Sequence, residues 1–137
     1  MNVSHLISLV EKVGGQLLAE GENIRVINIK LLAPSLVEEI KSHKAILLKQ
    51  LNQDLIAKKA GFIVALSGSL YTQTLGKNSS VYIERIGTQW ETWRETHIQG
   101  KKVPVEYRMI AAGEFEYVIL KAKEYFGYIE RKRSSGN

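Results

Sequence analysis

The sequence predicts an α+β protein: a small α-β-β-α-α module, then an antiparallel meander of four or five strands covered by a carboxy-terminal helix. Three observations predict this. Apolar residues recur at helical spacing through much of residues 1–60. From Phe62 the composition turns β-branched and aromatic, broken by turn-forming clusters. Helical spacing then returns from Phe115. The expected divisions are a helical module at 1–60, a sheet-plus-helix module at 61–128 and a basic, flexible tail at 129–137.

The opening VSHLISLVEKV sets Val3, Leu6, Ile7, Val10 and Val13 on one helical face, with Asn2 or Ser4 as cap and Gly14-Gly15 as stop. Two β-prone runs, Gln16–Glu20 and Asn23–Ile29, flank Gly21-Glu22, which reads as a tight hairpin turn. Such a hairpin is marginal alone and must pack on helices. The stretch from Pro34 to Lys59 supplies that cover. Its apolar stripe is Leu36, Ile40, Leu47, Leu51 and Leu55, broadened by Val37, Leu48 and Ile56. Pro34 suits a first helical turn, Ser42-His43 marks a bend between two helices, with one straight helix to Lys59 as the alternative, and Gly61 ends the run.

FIVAL, SLYTQTL, SVYIERI, QWETWRETHI and VPVEYRMI read as strands in sequential hairpins, separated by SG, GKNS, GT and QGKK. AAGEFEYVILKAKEYFG follows as a helix, with Phe115, Val118, Ile119, Ala122, Tyr125 and Phe126 on one face over the sheet.

With 137 residues, 45% apolar and 24% charged, the chain has the composition of a folded protein. No run approaches the ~20 apolar residues of a membrane span, and no secretory signal is evident, so a cytoplasmic protein is expected. Cysteine is absent, which excludes disulfides and thiolate metal sites. The net charge of +5 is uneven: residues 1–53 carry six Lys/Arg against five Glu, and residues 54–137 carry thirteen against nine acids. An anionic partner is compatible with that excess.

No catalytic constellation emerges. GKNS at Gly76–Ser79 lacks the phosphate-loop spacing and reads as a hairpin turn. His5, His43 and His97 have no second ligand at metal-binding spacing. Ser67 and Ser69 flank Gly68 without forming a nucleophile elbow. Neither an enzyme nor a bound cofactor is expected. The aromatic and basic residues of the strands suggest a platform for single-stranded nucleic acid, with Tyr82, Arg85, Trp90, Arg94, Tyr107 and Arg108 as its residues. Alternation places Trp90 and Arg94 on one face and Trp93 on the other.

LISLVEKVGGQLLAEGENIRV followed by LLAPSLVEEIKSHKAILLKQL resembles the TubC-type amino-terminal docking domain of nonribosomal peptide and polyketide assembly lines. The likeness lies in an opening Leu-rich helix, a G-x-x-L entry into a hairpin, and Leu32, Pro34, Leu36, Ile40, His43, Lys44, Leu47, Leu48 and Leu51 at the family's spacing. It covers residues 4–52. The resemblance implies a homodimer that takes the carboxy-terminal peptide of a partner protein as an added strand, with Arg25, Ile27, Ile29 and Lys30 as its contacts. Ile27 stands where a second basic residue is common, and Ala33 where Ser or Thr often caps the helix. Modules of this kind also accompany replication proteins of plasmids and phages, which makes a nucleic-acid-binding accessory protein of a mobile element the alternative.

Overall fold

A computed structural model describes residues 2–104 and 106–135. Val105, within the predicted VPVEYRMI strand, and Gly136-Asn137 of the predicted tail lie outside the described residues. The architecture is α+β, in the predicted order: α1 (Val3–Lys12), β1 (Gln16–Glu20), β2 (Asn23–Ile27), a 3-10 turn (Ile29–Leu31), α2 (Pro34–Ser42), α3 (Lys44–Lys59), β3 (Ile63–Leu66), β4 (Leu70–Thr74), β5 (Ser79–Ile86), β6 (Gln89–Thr96), β7 (Glu106–Gly113) and α4 (Phe115–Ser135). The chain divides into two compact units, residues 1–56 with 66–68, and residues 57–65 with 69–137. The division thus falls inside α3, whose last turn belongs with the sheet.

In the first unit, the Asn2 side chain caps α1 by accepting from Ser4 N–H at 2.8 Å. Val3, Leu6, Ile7 and Val10 bury one face of α1 against Leu17, Leu32, Ile40, Leu47 and Leu51. Gly21, at φ 60°, turns β1 back antiparallel onto β2, pairing Gln16 with Ile27 and Glu20 with Asn23. His43 ends α2, with its Nδ1 2.9 Å from the Glu39 carbonyl oxygen, so the expected bend separates α2 from α3.

The predicted stripe of α3 is corrected at its carboxy-terminal end. Leu55 (38% exposed) and Ile56 face outward, whereas Leu47, Gln50, Leu51, Asp54 and Ala57 are buried. That spacing is helical, but two of its members are polar and are satisfied by residues distant in the chain. Gln50 Oε1 accepts from Ser4 Oγ at 3.3 Å, and Asp54 accepts from Ser67 Oγ and from Gly68 N–H. Gly68 adopts φ 69°, a left-handed conformation that side chains disfavour, and a Cβ there would displace the Gln50 amide. Hydrogen bonding to residues 66–68 therefore outweighs the apolar pattern that favoured Leu55.

In the second unit all five strands form one antiparallel meander, β3-β4-β5-β6-β7. α4 covers one face, where Phe115, Val118, Ile119 and Ala122 pack with Tyr71, Val81, Ile83, Trp90, Phe62 and Leu75. Tyr125 and Phe126 join the margin of this core, as their helical spacing predicts. Two differences from the sequence reading stand out. Ala111 and Ala112, read as the start of the helix, end β7 opposite Thr92 and Glu91, where sheet pairing overrides alanine's helix propensity. At the other end, α4 continues through Ser135 instead of yielding to a tail at 129. Ile129 packs on the core and Arg133 Nη2 donates to the Leu75 carbonyl at 2.9 Å, tying down that last turn.

No described helix is long and apolar enough to cross a membrane. The corrected stripe is tested by one substitution made at two sites of α3. Leu47→Ala should cost about 2–5 kcal/mol in urea unfolding, and Leu55→Ala under ~1 kcal/mol; equal losses would restore the stripe through Leu55.

Candidate functional site

Two surfaces carry the residues that the sequence marks for binding, one in each unit. In the first, β2 pairs with β1 along one edge only, so its outer edge offers unpaired backbone groups among the described residues. Ile24 and Val26 turn inward opposite Ala19 and Leu17, which leaves Arg25 and Ile27 on the outward face. Arg25 lies 3.5 Å from Glu20, and both side chains are mostly exposed. Such a pair contributes at most ~1 kcal/mol, so Arg25 exchanges partners at little cost. Lys44 Nζ donates to Asn23 Oδ1 at 3.2 Å, which brings a second cation beside the strand.

Ile29 and Lys30 are not part of this edge, contrary to the predicted strand Asn23–Ile29. The strand ends at Ile27 because Asn28 adopts the left-handed conformation (φ 59°, ψ 41°). Its Nδ2 donates to the Gly14 carbonyl at 3.0 Å, which fixes the turn. Ile29 and Lys30 then lie in the following 3-10 turn, where Ile29 (49% exposed) and Leu31 present apolar surface beyond the strand end.

The nucleic-acid set in the second unit is divided between two faces. Trp90, 4% exposed, belongs to the core under α4, stacked on Tyr71 at 5.8 Å and edge-on to Phe115 at 4.9 Å. It is corrected from a binding residue to a packing residue. Arg85 pairs opposite Trp90, and Arg94 opposite Arg108, so all three arginines share the helix-covered face. Arg94 is held there, donating from Nη1 to Tyr125 Oη at 2.9 Å and from Nη2 to Ser79 Oγ at 3.2 Å. Tyr82 and Tyr107 lie on the opposite, open face.

On that open face the two tyrosines flank Trp93, which alternation sets on the face opposite to that of Trp90. Tyr82 and Trp93 stack at 5.5 Å and Trp93 and Tyr107 at 6.0 Å, with planes 22° and 28° apart. Carboxylates surround this ladder. Glu84 pairs directly opposite Glu91, and Glu95 directly opposite Tyr107. Glu95 receives hydrogen bonds from Trp93 Nε1 at 3.1 Å and lies 3.2 Å from His97 Nε2. Partial burial raises the Tyr107 hydroxyl above its ordinary pKa, and the charges of Glu91, Glu95 and Glu84 push it the same way.

The alternation rule contained this arrangement. A two-residue Gly87-Thr88 turn pairs Ile86 with Gln89 and thereby sets Glu84 against Glu91 and Tyr82 against Trp93. At the end of the sheet, the GKNS turn and the β6–β7 loop enclose an open cleft of about 460 Å³ that includes Lys77, Asn78, His97 and Lys101.

The two tryptophans should therefore behave differently. Trp93→Phe is expected to remove most of the emission that acrylamide quenches, with little loss of stability. Trp90→Ala should cost about 3–5 kcal/mol and leave the quenchable emission in place. Emission equally shielded at both sites would contradict the assignment of faces. No family model, no curated protein and no solved structure matches this chain.

Proposed function

We propose that the protein is a non-enzymatic adaptor of the cytoplasm whose first unit captures an extended segment at the carboxy terminus of a partner protein. The segment adds as a third strand along the outer edge of β2. Main-chain hydrogen bonds supply affinity, and side-chain contacts at alternate positions supply selectivity. The observation that carries this reading is the open edge of β2, bordered by Arg25 and Lys44 on one side and by exposed Ile29 and Leu31 beyond its end. Cations beside an open edge favour a segment with acidic side chains. The order α1-β1-β2-α2-α3 is also the one implied by the resemblance to docking domains, which are usually homodimers.

A second reading has one specific support. Arg94 and Arg108 are paired across β6 and β7, and among the described residues neither has a carboxylate partner. Phosphates of a nucleic acid would suit them, in keeping with an accessory protein of a mobile element. The stacking mechanism does not extend to this pair, because Tyr82 and Tyr107 face the other way.

A labelled peptide ending in alternating acidic and apolar residues should bind the full chain and slow hydrogen exchange in β2. Arg25→Glu should weaken it by about tenfold with an unchanged melting temperature. Unaltered β2 exchange at saturating peptide would refute strand addition. Light scattering should give twice the chain mass of 15.4 kDa; a monomer at high concentration would remove the dimer. A gel shift steeply weakened by salt would favour the second reading, and no shift at low salt would end it.

A further inference from the structure

The open face of the large sheet has a chemistry of its own. On β5 and β6 it displays Tyr82, Glu84, Glu91, Trp93 and Glu95, and on β7 Tyr107, Met109 and Ala112. None of these side chains is basic, although the chain as a whole carries +5. Glu84 and Glu91 stand directly opposite one another, an arrangement that destabilises a sheet unless a cation intervenes. No ion pair to either is formed among the described residues. β7 is also the last strand of its sheet, so its outer backbone edge is unpaired among the described residues.

We infer that this face and the outer edge of β7 receive an extended, arginine-bearing segment of a partner protein. The occupant follows from the charge and the rings together. Tyr107 ends the aromatic ladder, is 56% exposed, and has one ring face with no aromatic neighbour among the described residues. A guanidinium stacks on such a face and simultaneously presents its planar fork to a carboxylate, which an ammonium cannot do. Glu95, directly across from Tyr107, is kept oriented by Trp93 and His97 and retains lone pairs for that fork.

The spacing along β7 defines the segment further. A strand added outside β7 places alternate side chains on the open face. One falls beside Tyr107 and Glu95, and the next beside the exposed Met109, which suits an apolar residue. Between Met109 and Ala112 β7 carries one extra residue, so the open face continues at Ala112, and β6 spans the same three positions with Glu95, Trp93 and Glu91 spaced two apart. An added strand that matches the shift as β6 does sets a third side chain toward Ala112, whose small side chain leaves room to reach Glu91 and Glu84. The expected core is therefore arginine, any residue, an apolar residue, any residue, arginine. Being palindromic, it fits in either strand direction. Nucleic acid is a poor occupant, because three carboxylates would oppose its phosphates.

The test is anisotropy of a fluorescein-labelled peptide with the core Arg-Thr-Val-Thr-Arg, titrated with the full chain. Saturable binding is expected, absent for the Glu-Thr-Val-Thr-Glu peptide. Glu91→Arg should weaken it by at least about tenfold, and Glu84→Gln by a smaller factor. Arg25→Glu should leave this affinity unchanged, which separates the surface from the β2 edge. Both glutamate variants relieve the opposed pair and should keep the wild-type circular dichroism. No saturable binding at low salt, equal binding of the two peptides, or wild-type affinity in folded Glu91→Arg would overturn the inference.

Discussion

In the second unit, a two-residue turn at Gly87-Thr88 pins Ile86 against Gln89, and the whole register between β5 and β6 follows from that pair. Gly87 adopts φ 65°, a conformation that such tight turns require and that side chains disfavour. Because side chains alternate along a strand, a slip of one residue would exchange the two faces. Trp90 would leave the core and Trp93 would enter it. The register therefore does more than align hydrogen bonds. It assigns Ile83, Trp90 and Thr92 to the face under α4, and it gathers Tyr82, Trp93 and three carboxylates on the side left open.

The first unit depends on a different device. Its long helix buries two polar residues, Gln50 and Asp54, in what would otherwise be an apolar stripe. Burial of such groups is costly unless they are hydrogen-bonded, and both are. The partners come from the first turn of α1 and from residues 66–68, so these bonds join segments distant in the chain. Apolar contacts hold the unit together without specifying a rotation of α3. The polar pair selects one rotation, which is why Leu55 and Ile56 face outward.

Much of this was legible in the sequence. The order of helices and strands is the one that periodicity and turn residues predict, with boundaries moved at β2, β7 and α4, and a break falls at Ser42-His43. What escaped depended on long-range partners. Nothing local to Leu55 reveals that Asp54 will find Ser67 and Gly68. The helix propensity of Ala111 and Ala112 says nothing of Thr92 and Glu91 waiting across the sheet. Ile29 reads as strand until the Asn28 side chain is seen to reach Gly14. On the sheet, composition grouped aromatic and basic residues that alternation then separated. Trp93 was accessible to the same rule, once the turn at Gly87-Thr88 is used to count outward.

The free edges of β2 and β7 bear on how the protein behaves in concentrated solution. An unpaired strand recognises any extended backbone, including its own, so each edge is a potential nucleus for growth into aggregates. The two edges differ in exposure to that hazard. Arg25 makes stacking of β2 on another β2 bring like charges together. On β7, Arg108 would do the same, while Tyr107 and Met109 add sticky apolar area. Storage at high salt would screen both repulsions, so colloidal stability should decline there first through the β7 edge.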